Sequence, residues 1–124
     1  MSERSDEQPR VIAIVDDDDA VRDSIRFLLE MAGYSVRVYD SPRRLLANGW
    51  GDLDCLVIDQ HMPGATGLEV LTRLRDDNAH LPAVLITGST STDLERRAAE
   101  LGARLLVKPL VEDDLLGLLN SLLE

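Results

Sequence analysis

The stretch RVIAIVDDDDAV, Arg10 to Val21, drives five apolar residues straight into four consecutive aspartates, Asp16 to Asp19. Two unit charges about 4 Å apart at an effective dielectric near 20 repel by roughly 4 kcal/mol, so carboxylates that fold inward here need a positive partner. After the acidic run, Val21, Ile25, Leu28, Leu29 and Ala32 recur at helical spacing, and Gly33 stands where a left-handed residue stops a helix. The stretch therefore reads as a buried strand handing the chain to an amphipathic helix. Asp18 and Asp19 fit the start of that helix as cap and first-turn charge. Taken alone, the whole acidic run is a solvated helix start; what leaves the other strands decides whether Asp16 and Asp17 do more.

Working outward, short apolar runs alternate with amphipathic ones to the end of the chain. The strand candidates are Val11–Val15, Ser35–Tyr39, Cys55–Ile58, Ala83–Thr87 and Leu105–Val107. The first, third and fourth are almost wholly apolar, as strands covered on both faces must be. Ser41 and Pro42 read as N-cap and first residue of a second helix. Thr66 with Glu69, and Thr92 with Glu95, fit capping boxes that open the third and fourth helices, the fourth ending at Gly102. A fifth runs from about Val111 to Leu123, with Glu112, Asp113 and Asp114 in its first turn, where the helix dipole favours negative charge. Five strand–helix units of this kind predict an α/β fold with a doubly wound parallel sheet. Residues 1–10 read as a flexible N-terminal segment and 11–124 as one domain.

Composition narrows the function. Hydrophobic residues make up 44% of the chain and aromatics 3%, so the core is aliphatic. A formal charge of −10 argues against direct nucleic-acid binding, which relies on Lys and Arg at the phosphates. No apolar run approaches the roughly 18 residues of a membrane span, and the polar start does not resemble a signal peptide; a cytoplasmic protein is expected. Cys55 is the single cysteine and reads as a small core residue.

In a doubly wound sheet, ligands sit beyond the carboxyl ends of the strands, near the point where strand order reverses. Strand one delivers Asp16 and Asp17 there, strand three Asp59, strand four Thr87, and strand five Lys108 before Pro109. Carboxylates of this kind suit Mg²⁺, a hard cation that takes one or two protein carboxylates and keeps several waters. Metal, carboxylate, hydroxyl and ammonium, with neither a histidine base nor an active thiol, fit phosphoryl transfer, in which the protein positions the group and offsets charge on its oxygens. Asp59 is then the nucleophile that becomes an acyl phosphate.

At these residues the chain resembles a response-regulator receiver domain of bacterial two-component signalling, of the CheY-like superfamily. VDDD at Val15–Asp18 resembles the family's acidic pair, VIDQHMPGATGLEV at Val57–Val70 its phosphoacceptor strand and loop, LITG at Leu85–Gly88 its hydroxyl-bearing strand, and VKP at Val107–Pro109 its lysine. The resemblance implies a flavodoxin-like (βα)5 fold with sheet order 2-1-3-4-5. It implies that a histidine kinase or histidine phosphotransfer protein phosphorylates Asp59, with Mg²⁺ held by Asp16, Asp17, Asp59 and the backbone carbonyl of His61. Thr87 and Lys108 then bind the phosphoryl oxygens. Output is a changed surface on the fourth helix, fifth strand and fifth helix, with a phosphorylation-dependent homodimer as one consequence. His61 and Ser89 occupy the positions that tune phosphate lifetime in the family.

Two features depart from the family pattern. Leu105 replaces the usual aromatic three residues before the lysine, and the segment from Gly102 to Lys108 is one residue shorter. The expectation is a readout through backbone and helix shifts rather than an aromatic swing. Competing readings are a haloacid-dehalogenase-like phosphatase using Asp16 and Asp18, a receiver-like binding module independent of phosphate, and a mononucleotide binder, the last opposed by four aspartates where a phosphate loop belongs. His80 is expected at the surface, and Trp50, between Gly49 and Gly51, as a loop anchor.

Overall fold

A computed structural model describes residues 8–77 and 79–123. In the sheet formed by the described residues, strand β1 (Val11–Val15) lies between β2 (Ser35–Tyr39) and β3 (Cys55–Asp59), and β4 (Ala83–Thr87) and β5 (Ala103–Val107) follow β3. All pairs are parallel and the order is β2-β1-β3-β4-β5. The helices are α1 (Asp19–Met31), α2 (Pro42–Asn48), α3 (Gly67–Asp76), α4 (Thr92–Glu100) and α5 (Glu112–Leu123).

Alternate residues of a strand face opposite sides of the sheet, which explains the unbroken apolar runs. Ile12, Ile14, Val57, Val84 and Ile86 pack against Ile25 and Leu29 of α1 and Leu115 and Leu119 of α5. Ala13, Val15, Leu56, Ile58 and Leu85 pack on the other side against Leu45 of α2, Leu71 and Leu74 of α3, and Ala98 of α4. Each fully buried aliphatic side chain contributes about 1.5–3 kcal/mol relative to exposure, so the two layers hold the sheet without aromatic mass. Cys55 is buried among them, and burial pushes its thiol up to about 12, consistent with a core residue. Trp50 packs against the second cluster, and His80 is exposed.

Local signals account for most boundaries. Asp18 caps α1, its carboxylate accepting from the Ala20 and Val21 amides. Ser41 caps α2 ahead of Pro42, and Thr66 and Glu69 form both bonds of a capping box at α3. Three boundaries differ from expectation. The cap of α4 is Ser91, whose hydroxyl accepts from the Leu94 amide at 3.1 Å, while Glu95 instead receives the Thr90 hydroxyl at 3.3 Å. Thr92 is thereby the first helical residue, because Ser91 offers an equivalent hydroxyl one position earlier. Strand β5 starts at Ala103, two residues before the apolar run, since Ala103 and the exposed Arg104 already pair with Ala83 and Val84. Strand β3 runs on to Asp59, which pairs with Ile86.

Candidate functional site

Strands β1 and β3 are neighbours, and they leave the sheet in opposite directions: β1 is followed by α1 on one face and β3 by α3 on the other. Asp16, Asp17 and Asp59 meet in this crevice, with one carboxylate oxygen from each lying within 4.8 Å of the others. Asp16 and Asp59 are buried and Asp17 is exposed. Asp16 is held from several sides. Its amide donates to the Tyr39 carbonyl at 3.2 Å, and its Oδ1 accepts from the Asp18 amide at 2.9 Å. Its Oδ2 is buried with no hydrogen-bond partner among the described residues.

A buried oxygen left unpaired costs about 1–3 kcal/mol, more when charged, so this arrangement suits a site meant to be completed by a cation. The donors are all hard oxygens, the set Mg²⁺ prefers. Burial pushes the Asp16 carboxyl above the usual carboxylate range, and the neighbouring Asp59 and Asp17 charges push the same way; the Asp18 amide and Lys108 partly counter them.

Lys108 supplies one positive partner. Its Nζ lies 3.1 Å from Asp59 Oδ1, and its own amide donates to the Thr87 carbonyl at 2.7 Å, carrying the β4–β5 pairing one step past the strands. Thr87 is fully buried. Its hydroxyl donates to the Ser89 carbonyl at 2.6 Å, so in this state it is committed to its own loop. His61 is exposed in the loop after β3, and Leu105 is half-buried against the α4 side of the core.

Sequence reasoning passed over three residues that shape this crevice. Arg22 is a second cation beside the acidic run, donating to the Asp16 carbonyl at 2.7 Å and to the Asp19 carboxylate. Its i,i+3 spacing from Asp19 was the available signal. Gln60 is buried next to Asp59: its amide donates to the Ile86 carbonyl at 2.8 Å, its carbonyl accepts from the Gly67 amide, and its side-chain oxygen accepts from the Leu68 amide at 2.9 Å. Gly67 permits that close approach, because a Cβ there would sit 2.4 Å from Leu85 Cδ1 and 2.8 Å from the Asp59 carbonyl oxygen. Neither Gln60 nor Gly67 carries a spacing signal; each acts through tertiary contact.

Asp18 does not join the site. Its carboxylate is occupied at the α1 cap, which removes the second acid that a phosphatase of the haloacid-dehalogenase type requires.

A crevice of strand-end carboxylates answered by a lysine that follows the last strand, on a parallel sheet of this order, is the architecture of a signalling receiver domain. The family model for the response regulator receiver domain matches residues 12–120, and the chain belongs to that family. It is 37% identical over 112 residues to the transcriptional regulatory protein FixJ of Bradyrhizobium diazoefficiens, covering 89% of this chain and 55% of FixJ. The full-length FixJ structure from B. japonicum superposes with a TM-score of 0.83 at 36% identity, over 91% of this chain and 57% of that one. The chemotaxis protein CheY4 of Vibrio cholerae gives a TM-score of 0.86 at 28% identity, over 94% of this chain and all of that one. The chain spans about half the length of the curated FixJ relatives it matches. As a receiver domain of two-component response regulators it is a signalling domain, and the phosphatase, mononucleotide and phosphate-independent readings are not favoured.

Proposed function

We propose that Asp59 is the phosphoacceptor of this receiver and that a phosphohistidine on a histidine kinase or phosphotransfer protein is its donor. The observation that carries the reading is the Lys108–Asp59 contact at 3.1 Å beside the unpartnered Asp16 oxygen. An Asp59 carboxylate oxygen attacks the phosphorus, the P–N bond to the imidazole breaks, and its electron pair returns to the ring nitrogen; Asp59 is left as an acyl phosphate. Asp16, Asp17, Asp59 and the His61 carbonyl would hold Mg²⁺, which when bound would supply positive charge to offset the transferring oxygens. Lys108 stays paired with the oxygens around Asp59 as charge moves onto the phosphoryl group.

Thr87 reports the change. Its hydroxyl gives up the Ser89 carbonyl for a phosphoryl oxygen, and β5, α4 and α5 rearrange behind it, with half-buried Leu105 following rather than leading. Residues 11–124 act as the signalling unit, and Arg10 adjoins it, its carbonyl accepting from the Ser35 amide at 2.9 Å; of the expected flexible N-terminal segment, residues 1–7 lie outside the described residues. A formal charge of −10 favours protein partners over direct nucleic-acid contact, whether an effector domain, the kinase or a second copy in a phosphorylation-dependent homodimer. No described helix is long and apolar enough to cross a membrane.

Incubation with acetyl phosphate and Mg²⁺, followed by intact-mass measurement, tests the acceptor. The expected result is a single added phosphoryl group that Asp59→Asn lacks; an unmodified wild-type chain, or label persisting in Asp59→Asn, contradicts it.

A further inference from the structure

Arg22 sits in the first turn of α1 with its side chain only 15% exposed, unusual for an arginine beside an acidic loop. One terminal nitrogen donates to the Asp16 carbonyl oxygen at 2.7 Å and the other to the Asp19 carboxylate. Its own amide donates to the Asp18 carbonyl at 3.0 Å. The guanidinium therefore ties together the turn by which the chain leaves β1 and enters α1.

The peptide unit is planar, so clamping the Asp16 carbonyl also fixes the Asp17 amide and the direction in which the Asp17 Cα leaves. That peptide is the hinge between a buried carboxylate and an exposed one. Asp16 has further restraints, from the Tyr39 carbonyl on its amide and the Asp18 amide on its side chain. Asp17 has its placement set chiefly through this one peptide. A guanidinium presents donors in a rigid planar fork and holds two acceptors at once, which a lysine ammonium on a flexible stem does not reproduce.

We propose that Arg22 is a positioning residue for divalent-cation binding: by gripping the Asp16 carbonyl it orients the Asp16–Asp17 peptide so that both carboxylates face one ion. The proposal rests on the reading of Asp16, Asp17 and Asp59 as a magnesium site. It differs in sign from a simple counter-charge role. A cation that only offsets the aspartates competes with the metal, so removing it strengthens metal binding; a cation that positions the ligands weakens binding when removed.

The test is calorimetric titration of MgCl2 into the full 124-residue chain, as wild type, Arg22→Gln and Arg22→Lys, each checked by circular dichroism in chelator. Arg22→Gln is expected to weaken Mg²⁺ binding about 10-fold, the usual scale for losing a residue that orients metal ligands. Arg22→Lys, which keeps the charge but loses the fork, is expected to weaken it as well. Should Arg22→Gln fail to fold, Arg22→Lys decides alone. Unchanged or tighter binding in the folded variants, or Arg22→Lys matching wild type, overturns the positioning role while leaving the metal site intact. A wild-type chain that binds no Mg²⁺ overturns the metal-site reading and the proposal together.

Discussion

Strands β3 and β4 are buried along their whole length, whereas β5 has exposed Arg104 and Val107 and half-buried Leu105 and Leu106. The Asp59 side of the crevice is correspondingly overdetermined. Asp59 extends a buried strand, Gln60 fastens the following loop to both Ile86 and α3, and Gly67 lets α3 pack directly against the Asp59 carbonyl. The β5 side is held more lightly, by one row of strand pairing and the edge of the aliphatic core. The difference predicts that the Asp59 side stays in place when the domain switches and that the β5 side moves. Thr87 stands at the border, buried in β4 yet bonded to the loop that leads to α4.

The comparison can be broken most severely at the acceptor itself. Asp59→Asn is expected to reduce phosphorylation by acetyl phosphate to background while leaving the fold unchanged by circular dichroism; residual modification would place the acceptor elsewhere. Next in size is Gly67→Ala. Its added carbon meets Leu85 and the Asp59 carbonyl, and overpacking of this kind costs about 1–3 kcal/mol, to be read by urea denaturation. A loss well under 1 kcal/mol would mean that the acceptor side yields more easily than its contacts imply.

Asp16→Asn sharpens the contrast electrostatically. The folded-state pKa of Asp16 lies above its ordinary 3.8, so between that value and the raised one the folded chain keeps a proton that the unfolded chain has lost. Stability from this group is therefore present at low pH and falls as pH rises through the window. At neutral pH without metal, Asp16→Asn removes the penalty and is expected to raise Tm, and to diminish the further rise expected when Mg²⁺ is added to wild type. A Tm that falls in metal-free buffer would contradict this. The smallest effect is expected on the lighter side: Leu105→Ala, at a half-buried position, costs about 1 kcal/mol in urea denaturation and leaves the rate of phosphorylation unchanged.

What was legible in the chain follows the same division. The bounds of β1, β2 and β4, the Asp18 and Ser41 caps and the Thr66–Glu69 box depend on local spacing and chemistry, and the structure agrees with them. Asp16, Asp17, Asp59 and Lys108 could be brought together from sequence because a parallel sheet places every strand's carboxyl end on one edge. The start of β5 was hidden because Arg104 breaks the apolar run at a position where the sheet edge tolerates charge. Ser91 displaced Thr92 as a cap because two adjacent hydroxyls give nearly the same signal. Arg22, Gln60 and Gly67 escaped notice because their roles lie in bonds to backbone that folding brings near, which residue type alone does not announce.

The division between a fixed acceptor side and a mobile reporting side is tested most directly by a crystal structure with beryllofluoride and Mg²⁺, compared with the free form in the same lattice. The Thr87 hydroxyl is expected to leave the Ser89 carbonyl and face the fluoride, with β5 and α4 displaced and the Asp16, Gln60 and Gly67 contacts unchanged. A Thr87–Ser89 bond that survives, or a shift centred on α3 and the Gln60 loop, would contradict it.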